Sequence, residues 1–309
     1  MHMADSALTP ASQLQQSATA SPEARKAAAA AAAHPASGFR IGFSEDCNKK
    51  RRRTMEDAHS YFYDFGGVCG QGFFAIFDGH ASKSAAEWCG NHLHETLLKC
   101  LEQHPNKPIP EVLNLTYVEA DRKLNDKEGK SSGCTTVSCF LRIEKEEGAG
   151  DAGVTNGQAA AVKQKRVLYT ANVGDARAVL CRNGQAVRLT YDHKGSDAQE
   201  AKRIMDLGGF VMNNRVNGVL AVTRSLGDST MKEFVVGNPY TTETVLVDSD
   251  PFLILACDGL WDVCDDQDAV DLIKDMEDPQ LASEKLLEHA LANYSTDNLS
   301  IMVVRFHHR

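Results

Sequence analysis

Residues 72–80 read GFFAIFDGH, an almost wholly apolar run that ends in Asp78, Gly79 and His80. A short apolar run of this kind is typical of a buried strand. The pattern recurs at residues 252–262, FLILACDGLWD, where a second apolar run leads directly into Asp258. Because a strand presents its terminal residues at one edge of a sheet, we expect these carboxylates to lie close together.

The rest of the chain predicts strands joined by hairpins and helices in pairs. Asn183-Gly184, between two β-rich segments, is a strong hairpin signal. There is no alternation of single strands with single helices, so the pattern favours an α+β architecture. Strands are predicted at 39–44, 61–65, 72–77, 134–143, 166–172, 177–181, 185–189, 252–257 and 299–306, and helices at 82–101, 109–127, 197–207, 266–276 and 281–293.

Composition excludes several classes of protein. The chain has 309 residues, of which 24% are charged and 42% hydrophobic, and this fits a globular protein with a sizeable core. A net charge of -9 argues against a general nucleic-acid binder. No apolar stretch approaches the length of a membrane span. The nine cysteines, with no Cys-x-x-Cys pair, indicate reduced thiols in the cytoplasm or nucleus.

Two segments are expected to lie outside regular structure. Residues 1–37 begin with what resembles an expression scar, Met1-His2-Met3, and continue with Ala, Ser and Gln, which predicts a disordered or weakly helical tail. Residues 38–309 are predicted to form one folded domain. Within it, residues 144–165 are rich in Gly, Ala and Glu and suit a long exposed hairpin loop.

Each candidate site residue has a simpler explanation when it is taken alone. An isolated Asp-Gly pair is usually a turn, a Glu-Asp pair is usually solvated, and a histidine after a strand is usually structural. The basic run at residues 49–53, KKRRR, fits a solvated loop or a nuclear-localisation patch equally well. The joint occurrence of these elements in one chain is what favours a functional site.

Six motifs occur together in this chain: RRTMED at 52–57, FDGH at 77–80, NVGDAR at 172–177, RVNGVLAVTRSLGD at 215–228, DGLWD at 258–262 and TDN at 296–298. With this combination the chain resembles the metal-dependent type 2C serine/threonine protein phosphatases, and compact fungal members most closely. The resemblance extends from about residue 38 to residue 306. It implies a central β-sandwich of two mainly antiparallel sheets flanked by pairs of α-helices.

The resemblance also implies two metal ions, Mg²⁺ or Mn²⁺, and a weaker third. Oxygen-only ligands suit such hard cations. Asp175 and Asp262 are the third-ion candidates together with Asp258, and the alternative for each of the two is that it only stabilises a turn. The implied ligands of the first two ions are Asp78 as the bridge, Glu56 and the Gly79 carbonyl on one ion, and Asp258 and Asp297 on the other.

Three further residues are implied in catalysis. Arg52 would hold the substrate phosphate with its planar guanidinium. His80 would be the general acid for the leaving seryl or threonyl oxygen. Asp57 follows Glu56 directly and so points to the opposite face of a strand, yet the resemblance places it near the site, orienting a water on the ions.

The sequence departs from the family pattern at two positions. Gly195 stands where proline is common, and Cys134 stands where serine is common. Cys134 is either a thiol-sensitive residue near the site or, as we expect, a buried inert one. Asp192-His193-Lys194 is expected in a surface flap or at the start of a helix.

The predicted activity is hydrolysis of phosphoserine and phosphothreonine in proteins. The alternatives are an inactive relative that binds phosphoproteins and a two-metal nuclease. The acidic net charge and the lack of an extended basic, aromatic surface argue against the nuclease. By resemblance the substrates include MAP kinases of stress pathways, and we expect a monomer in the cytoplasm or nucleus that has no nucleic-acid or membrane partner.

Overall fold

A computed structural model of the chain describes residues 37–127, 132–145 and 164–307. The predicted tail up to residue 36 and the centre of the predicted 144–165 loop lie outside these ranges. Ser37, which the sequence analysis placed in the tail, is buried, and its hydroxyl donates to Asp64 Oδ1 at 2.9 Å.

Two antiparallel sheets form the centre of the protein, as predicted. In sheet one the strands lie in the order β1 (Phe39–Asp46), β13 (Leu299–Phe306), β12 (Phe252–Ala256), β6 (Arg177–Arg182) and β7 (Gln185–Arg188). In sheet two the order is β11 (Tyr240–Val245), β5 (Gln164–Val173), β4 (Gly133–Lys145), β3 (Gly72–His80) and β2 (Ala58–Tyr63), and β10 (Leu226–Gly227) also pairs with β4.

Helices cover the outer face of each sheet. Apolar residues of α1 (Ser84–Gln103) and α2 (Ile109–Lys127) pack on sheet two. On sheet one the helices are α4 (Asp258–Trp261), α5 (Asp266–Ile273) and α6 (Pro279–Ala292). A small separate flap contains α3 (Ala198–Asp206), β8 (Val211–Met212) and β9 (Arg215–Val216), and it packs around Ile204 and Val235.

Burial on both faces explains the apolar runs that were evident in the sequence. In β3, Phe74 and Ile76 pack between the two sheets, while Phe73 and Phe77 pack under the helices of sheet two. Strand β12 alternates in the same way, with Leu253 and Leu255 between the sheets. A strand that is covered on both faces needs apolar residues at every position.

Some predicted bounds were wrong. The strand predicted at 61–65 is β2, which ends at Tyr63 because Asp64 adopts a left-handed backbone conformation with φ 48° and starts a short 3-10 turn. The strands β8, β9, β10 and β11 and the short helix α4 were not predicted. Within the described residues, no helix combines the length and the apolar character that a membrane span requires.

Candidate active site

The predicted carboxylates come from four segments that meet at one end of the sandwich. Asp78 lies near the end of β3, opposite Thr135 of β4. Asp57 immediately precedes β2, and Asp258 begins α4 two residues after β12 ends. Asp297 lies two residues before β13. This end of the sandwich, where the polar ends of apolar strands converge, is called the site end below.

Asn298 joins two of these segments. Its side-chain Oδ1 accepts a hydrogen bond from the Glu56 backbone N–H at 2.9 Å. Its Nδ2 donates to the carbonyl oxygens of Cys47 at 2.9 Å and Thr54 at 3.0 Å. The buried Asn298 side-chain amide therefore ties the segment that contains Glu56 to the segment that contains Asp297.

Gly79 is required by a close approach of the backbone. A Cβ at this position would lie 2.3 Å from the Glu56 carbonyl oxygen. Only glycine allows the chain after Asp78 to pass so near the Glu56 segment. The structure therefore brings together Glu56, Asp78 and Gly79, the ligands that the family resemblance implies for one ion.

Burial and mutual repulsion act together on the acidic groups. Burial raises the pKa of Asp78 well above its ordinary value, and the charges of Asp258 and Asp57 raise it further. Burial likewise raises the pKa of Asp258, followed by repulsion from Asp175 and Asp297. These carboxylates are close enough to influence one another and have too few cationic partners to be stable as a cluster of anions.

Asp57 points into the same region. It is 8% exposed, and burial raises its pKa to about 7 against a smaller lowering by the nearby Ser300 hydroxyl and Cys257 thiol. Strand alternation had placed Asp57 away from Glu56. Glu56 and Asp57 precede β2, so strand alternation does not apply to them, and Asp57 lies beside Asp78.

The donor set fits a hard divalent cation. Both carboxylate oxygens of Asp57, Oδ1 of Asp258 and the Thr135 hydroxyl are buried and have no hydrogen-bond partner within the described part of the chain. Unpaired buried oxygens of this kind are costly unless a cation or ordered water satisfies them. Across residues 37–127, 132–145 and 164–307, no three His, Cys, Asp or Glu side chains already stand close enough to hold an ion by themselves. A site built on these residues would need backbone oxygen and water ligands as well, which is the usual state of Mg²⁺.

Arg52 lies at the edge of the cluster. Its guanidinium forms an ion pair with Asp297 and also donates to the Thr296 carbonyl at 3.3 Å. The Arg52 side chain is 48% exposed. It can therefore meet an anion arriving from solvent without leaving the site end.

His80 is held by a residue to which the sequence analysis gave no role. His80 Nε2 lies 2.7 Å from Asp228 Oδ2, and the Ser225 hydroxyl donates to the same carboxylate oxygen. The backbone N–H of Asp228 donates to the Ser132 carbonyl at 3.0 Å. Burial alone would raise the pKa of Asp228, but the His80 and Ser225 hydrogen bonds outweigh it and lower the pKa.

Sequence comparison assigns the chain to a family. The sequence model described as Protein phosphatase 2C matches residues 41–299, most of the chain. The chain belongs to the protein phosphatase 2C family. It is thus a protein-serine/threonine phosphatase, a hydrolase of phosphoric monoesters.

Two yeast proteins are similar to this phosphatase. Protein phosphatase 2C homolog 1 of Saccharomyces cerevisiae is 48% identical over 266 residues, which span 86% of this chain and 93% of the yeast protein. A protein of the same name from Schizosaccharomyces pombe is 45% identical over 87% of this chain and 74% of its own length. The predicted resemblance to fungal members is confirmed.

Solved structures confirm the predicted architecture. A phosphatase from Toxoplasma gondii superposes with a TM-score of 0.71 at 25% identity, covering 87% of this chain and 93% of its own. A sex-determining protein of C. elegans superposes with a TM-score of 0.74 at 24% identity, covering 87% of this chain and 65% of its own, and shows the fold alone.

Asp175 and Asp262 of the phosphatase share a cationic neighbour. Lys194 Nζ lies 3.5 Å from Asp175 Oδ2 and 3.1 Å from Asp262 Oδ1. Lys194 was predicted to lie in a surface flap or at the start of a helix and to have no chemical role, whereas the structure places its ammonium group between the two candidate ligands of a third ion. A third ion would have to displace this lysine or share the carboxylates with it.

The two departures from the family pattern have structural explanations. Cys134 is fully buried, and its Sγ lies 3.7 Å from Cys89 Sγ, which agrees with the expectation of a buried thiol. A Cβ at Gly195 would lie 2.2 Å from the Asn214 carbonyl oxygen, because the flap backbone packs directly on this residue. In this phosphatase the flap therefore occupies the space that a side chain at position 195 would need.

Proposed function

We propose that the protein hydrolyses phosphoserine and phosphothreonine esters in proteins at the site end, with Mg²⁺ or Mn²⁺ bound by the carboxylate cluster. The observation that carries the proposal is the set of three buried carboxylate oxygens, both of Asp57 and Oδ1 of Asp258, that form no hydrogen bond of normal geometry with the described residues. A cluster of this kind, beside an accessible arginine and a histidine, suits the transfer of a phosphoryl group to water.

The metal ligands would be the residues that the family resemblance implies. Asp78, Glu56, Asp258, Asp297 and the Gly79 carbonyl would hold two ions, with Asp175 and Asp262 available to a weaker third ion. When bound, such ions make water a stronger nucleophile and neutralise charge on the phosphoryl oxygens.

The chain's own groups would position and protonate the substrate. Arg52 would orient two phosphoryl oxygens with its planar guanidinium. Asp57, held inside the site end, would accept a hydrogen bond from the attacking water and fix its direction. His80 would deliver a proton to the leaving seryl or threonyl oxygen, a step commonly worth about 10²–10⁴-fold in rate.

The test is turnover of a phosphothreonine peptide with Mn²⁺ by two ligand variants. Asp78→Ala and Asp258→Ala are each expected to lower kcat/KM by about 100-fold or more, since even the partners of metal ligands commonly cost up to that much. The matched control is Asp206→Ala, which removes an exposed aspartate from α3 and should keep full turnover. Wild-type turnover by either ligand variant would exclude this mechanism.

Further measurements on the wild type and the Asp258→Ala variant distinguish the phosphatase from an inactive phosphoprotein-binding relative and from a nuclease. Calorimetric titration with Mn²⁺ should show binding to the wild type that Asp258→Ala weakens. A wild-type protein that binds phosphopeptide but has no turnover with Mn²⁺ would be the inactive phosphoprotein-binding relative. Activity on DNA without activity on phosphopeptides would favour the nuclease.

The proposal extends to the biological setting on the family resemblance alone. Substrates would be phosphoproteins of stress and MAP-kinase signalling, and the phosphatase would act as a monomer in the cytoplasm or nucleus. Comparison of phosphoproteomes with and without the protein would test the substrates, and sedimentation would test the monomer.

A further inference from the structure

A basic loop borders the site end. Residues 47–54, called the basic loop here, contain five consecutive cationic residues, KKRRR at 49–53, in a chain whose net charge is -9. All five are exposed. Such a concentration of one charge beside an acidic metal site calls for an explanation beyond solubility.

The basic loop is a built structure. Asn298 donates to the carbonyls of both Cys47 and Thr54 and so closes the loop at its two ends. Inside it, Asn48 is 7% exposed, takes a left-handed conformation with φ 52°, and donates to the Ser295 carbonyl at 2.7 Å. The Asn48 carbonyl in turn accepts from the backbone N–H of Arg51 at 2.7 Å. The cationic side chains therefore leave a backbone whose position is fixed.

Four of the five cations have no carboxylate partner. Within the parts of the chain that the structure describes, Lys49, Lys50, Arg51 and Arg53 form no ion pair, while Arg52 is bound to Asp297. Exposed lysines elsewhere are often paired, as Lys83 is with Glu87 at 2.6 Å. Among the described residues, the basic loop thus carries four positive charges that no ion pair compensates.

We propose that the basic loop binds acidic side chains that flank the phosphorylated residue of the substrate. The inference rests on the proposed function, which places the substrate phosphate on Arg52. Since Arg52 is the fourth of the five cations, a phosphate that reaches it brings the neighbouring residues of its peptide close to the loop. Aspartate and glutamate at those positions complement the charge of the loop, and lysine and arginine oppose it.

The size of the effect follows from the exposure of the charges. An exposed ion pair contributes at most about a fivefold change in an equilibrium constant. Two or three such pairs together predict a preference of about tenfold in kcat/KM for an acidic peptide at low salt. The preference should decline steeply between about 0.02 and about 0.5 M salt. The reason is that salt screens exposed charges, with a Debye length of roughly 10 Å at 0.1 M that shortens as the salt concentration rises.

The test compares two phosphothreonine peptides of one sequence, in which the flanking positions carry either glutamate or glutamine. The variant is Lys49→Gln with Lys50→Gln. The control is Lys99→Gln with Lys285→Gln, which removes the same charge from exposed positions on the two helical layers. The quantity measured is the ratio of kcat/KM for the acidic peptide to that for the neutral peptide, so a general effect on folding or chemistry cancels.

The expected ratio is about ten for the wild type and the control, and below about three for the loop variant. An unchanged ratio in the loop variant, or an equal fall in the control, would overturn the inference. So would a loop variant that loses binding to vesicles of anionic lipid while keeping the peptide ratio, since the loop would then serve a membrane surface. Failure of the proposed function looks different, because the wild type would then turn over neither peptide.

Discussion

His80 Nε2 and Asp228 Oδ2 are 2.7 Å apart, although the two residues are separated by 148 positions in the sequence. The bond engages one ring nitrogen of His80 and leaves Nδ1 as the nitrogen that can face a leaving group. Asp228 is itself fixed by Ser225 and by the Ser132 carbonyl. We therefore interpret Asp228 as a positioning residue that sets the direction of the imidazole.

Asp228→Asn should lower turnover of alkyl phosphates about tenfold or more, and that of aryl phosphates much less. An aryl oxide leaves readily without a proton, whereas an alkoxide needs one, so only the alkyl reaction depends on a correctly directed imidazole. The measurement is kcat for a phosphoserine peptide and for an aryl phosphate.

A double-mutant cycle provides the control. If Asp228 acts through His80, Asp228→Asn should have little further effect once His80→Ala is present, because coupled residues are not additive. Equal losses on both substrates, or full additivity with His80→Ala, would show that Asp228 is only a structural residue.

Gly133→Ala should reduce activity about 100-fold and destabilise the fold by about 1–3 kcal/mol. The new Cβ would lie 2.0 Å from Asp228 Oδ2 and 2.4 Å from His80 Nε2, so both side chains would have to move. Gly90→Ala is the control, because its Cβ would meet nothing nearer than 3.5 Å and alanine favours the helix. Turnover and thermal denaturation of both variants check the prediction, which fails if Gly133→Ala retains wild-type activity.

Asp258→Asn should have opposite effects on stability with and without metal. In chelator the variant should melt about 2–4 °C higher, since it removes a buried charge that faces Asp175 and Asp297. Wild type should gain stability when Mn²⁺ is added, because a ligand that binds only the folded state stabilises it, and the variant should gain far less.

Differential scanning calorimetry measures both effects, with Asp206→Asn as an exposed control that should change neither. If Asp258→Asn lowered the melting temperature in chelator, the interpretation of the site end as a strained anionic cluster would be wrong.

Glu200 should make the stability of the phosphatase depend on pH. Burial alone would raise its pKa, but hydrogen bonds from Arg224 and Arg203 outweigh burial and lower the pKa from 4.5 to about 2. A carboxylate whose pKa is lower in the folded state stabilises the fold above its unfolded pKa, and this contribution disappears as the pH falls from 4.5 towards 2.

Between pH 7 and pH 4 the wild type should therefore lose about 1 kcal/mol of unfolding free energy that Glu200→Gln does not lose. Urea denaturation of both proteins at the two pH values tests this. Parallel losses in wild type and variant would mean that Glu200 has the same pKa in the folded and unfolded states.

The elements that the sequence predicted well are those with long, strongly patterned segments. Strand β13 and helix α2 begin and end as expected, since uninterrupted burial in one and helical spacing in the other leave a clear signal. Strands β8 and β9 have two residues each, too few for any periodicity. Strand β11, which reads YTTETV at a sheet edge, contains too few apolar residues to stand out.

The residues of the site likewise differ in whether the sequence pattern could predict them. The carboxylates Asp78 and Asp258 could be predicted because they end the apolar runs of β3 and β12. The roles of Lys194 and Asp228 could not, since each reaches its partner through the tertiary arrangement of distant segments, and Asp228 was visible only as the last residue of the 215–228 motif. Asn298 was visible as part of the TDN motif, but its closure of the basic loop depends on a neighbour some 250 positions earlier.

The position of strand β13 in its sheet has a consequence for folding during synthesis. Strand β13 is the last of the described strands, yet it lies between β1 and β12, and Asp297 and Asn298 immediately precede it. A nascent chain in which this segment has not yet been synthesised has an open sheet and an incomplete site. The phosphatase therefore gains its activity only after residues 297–306 have been made, and a product truncated before residue 297 should be inactive.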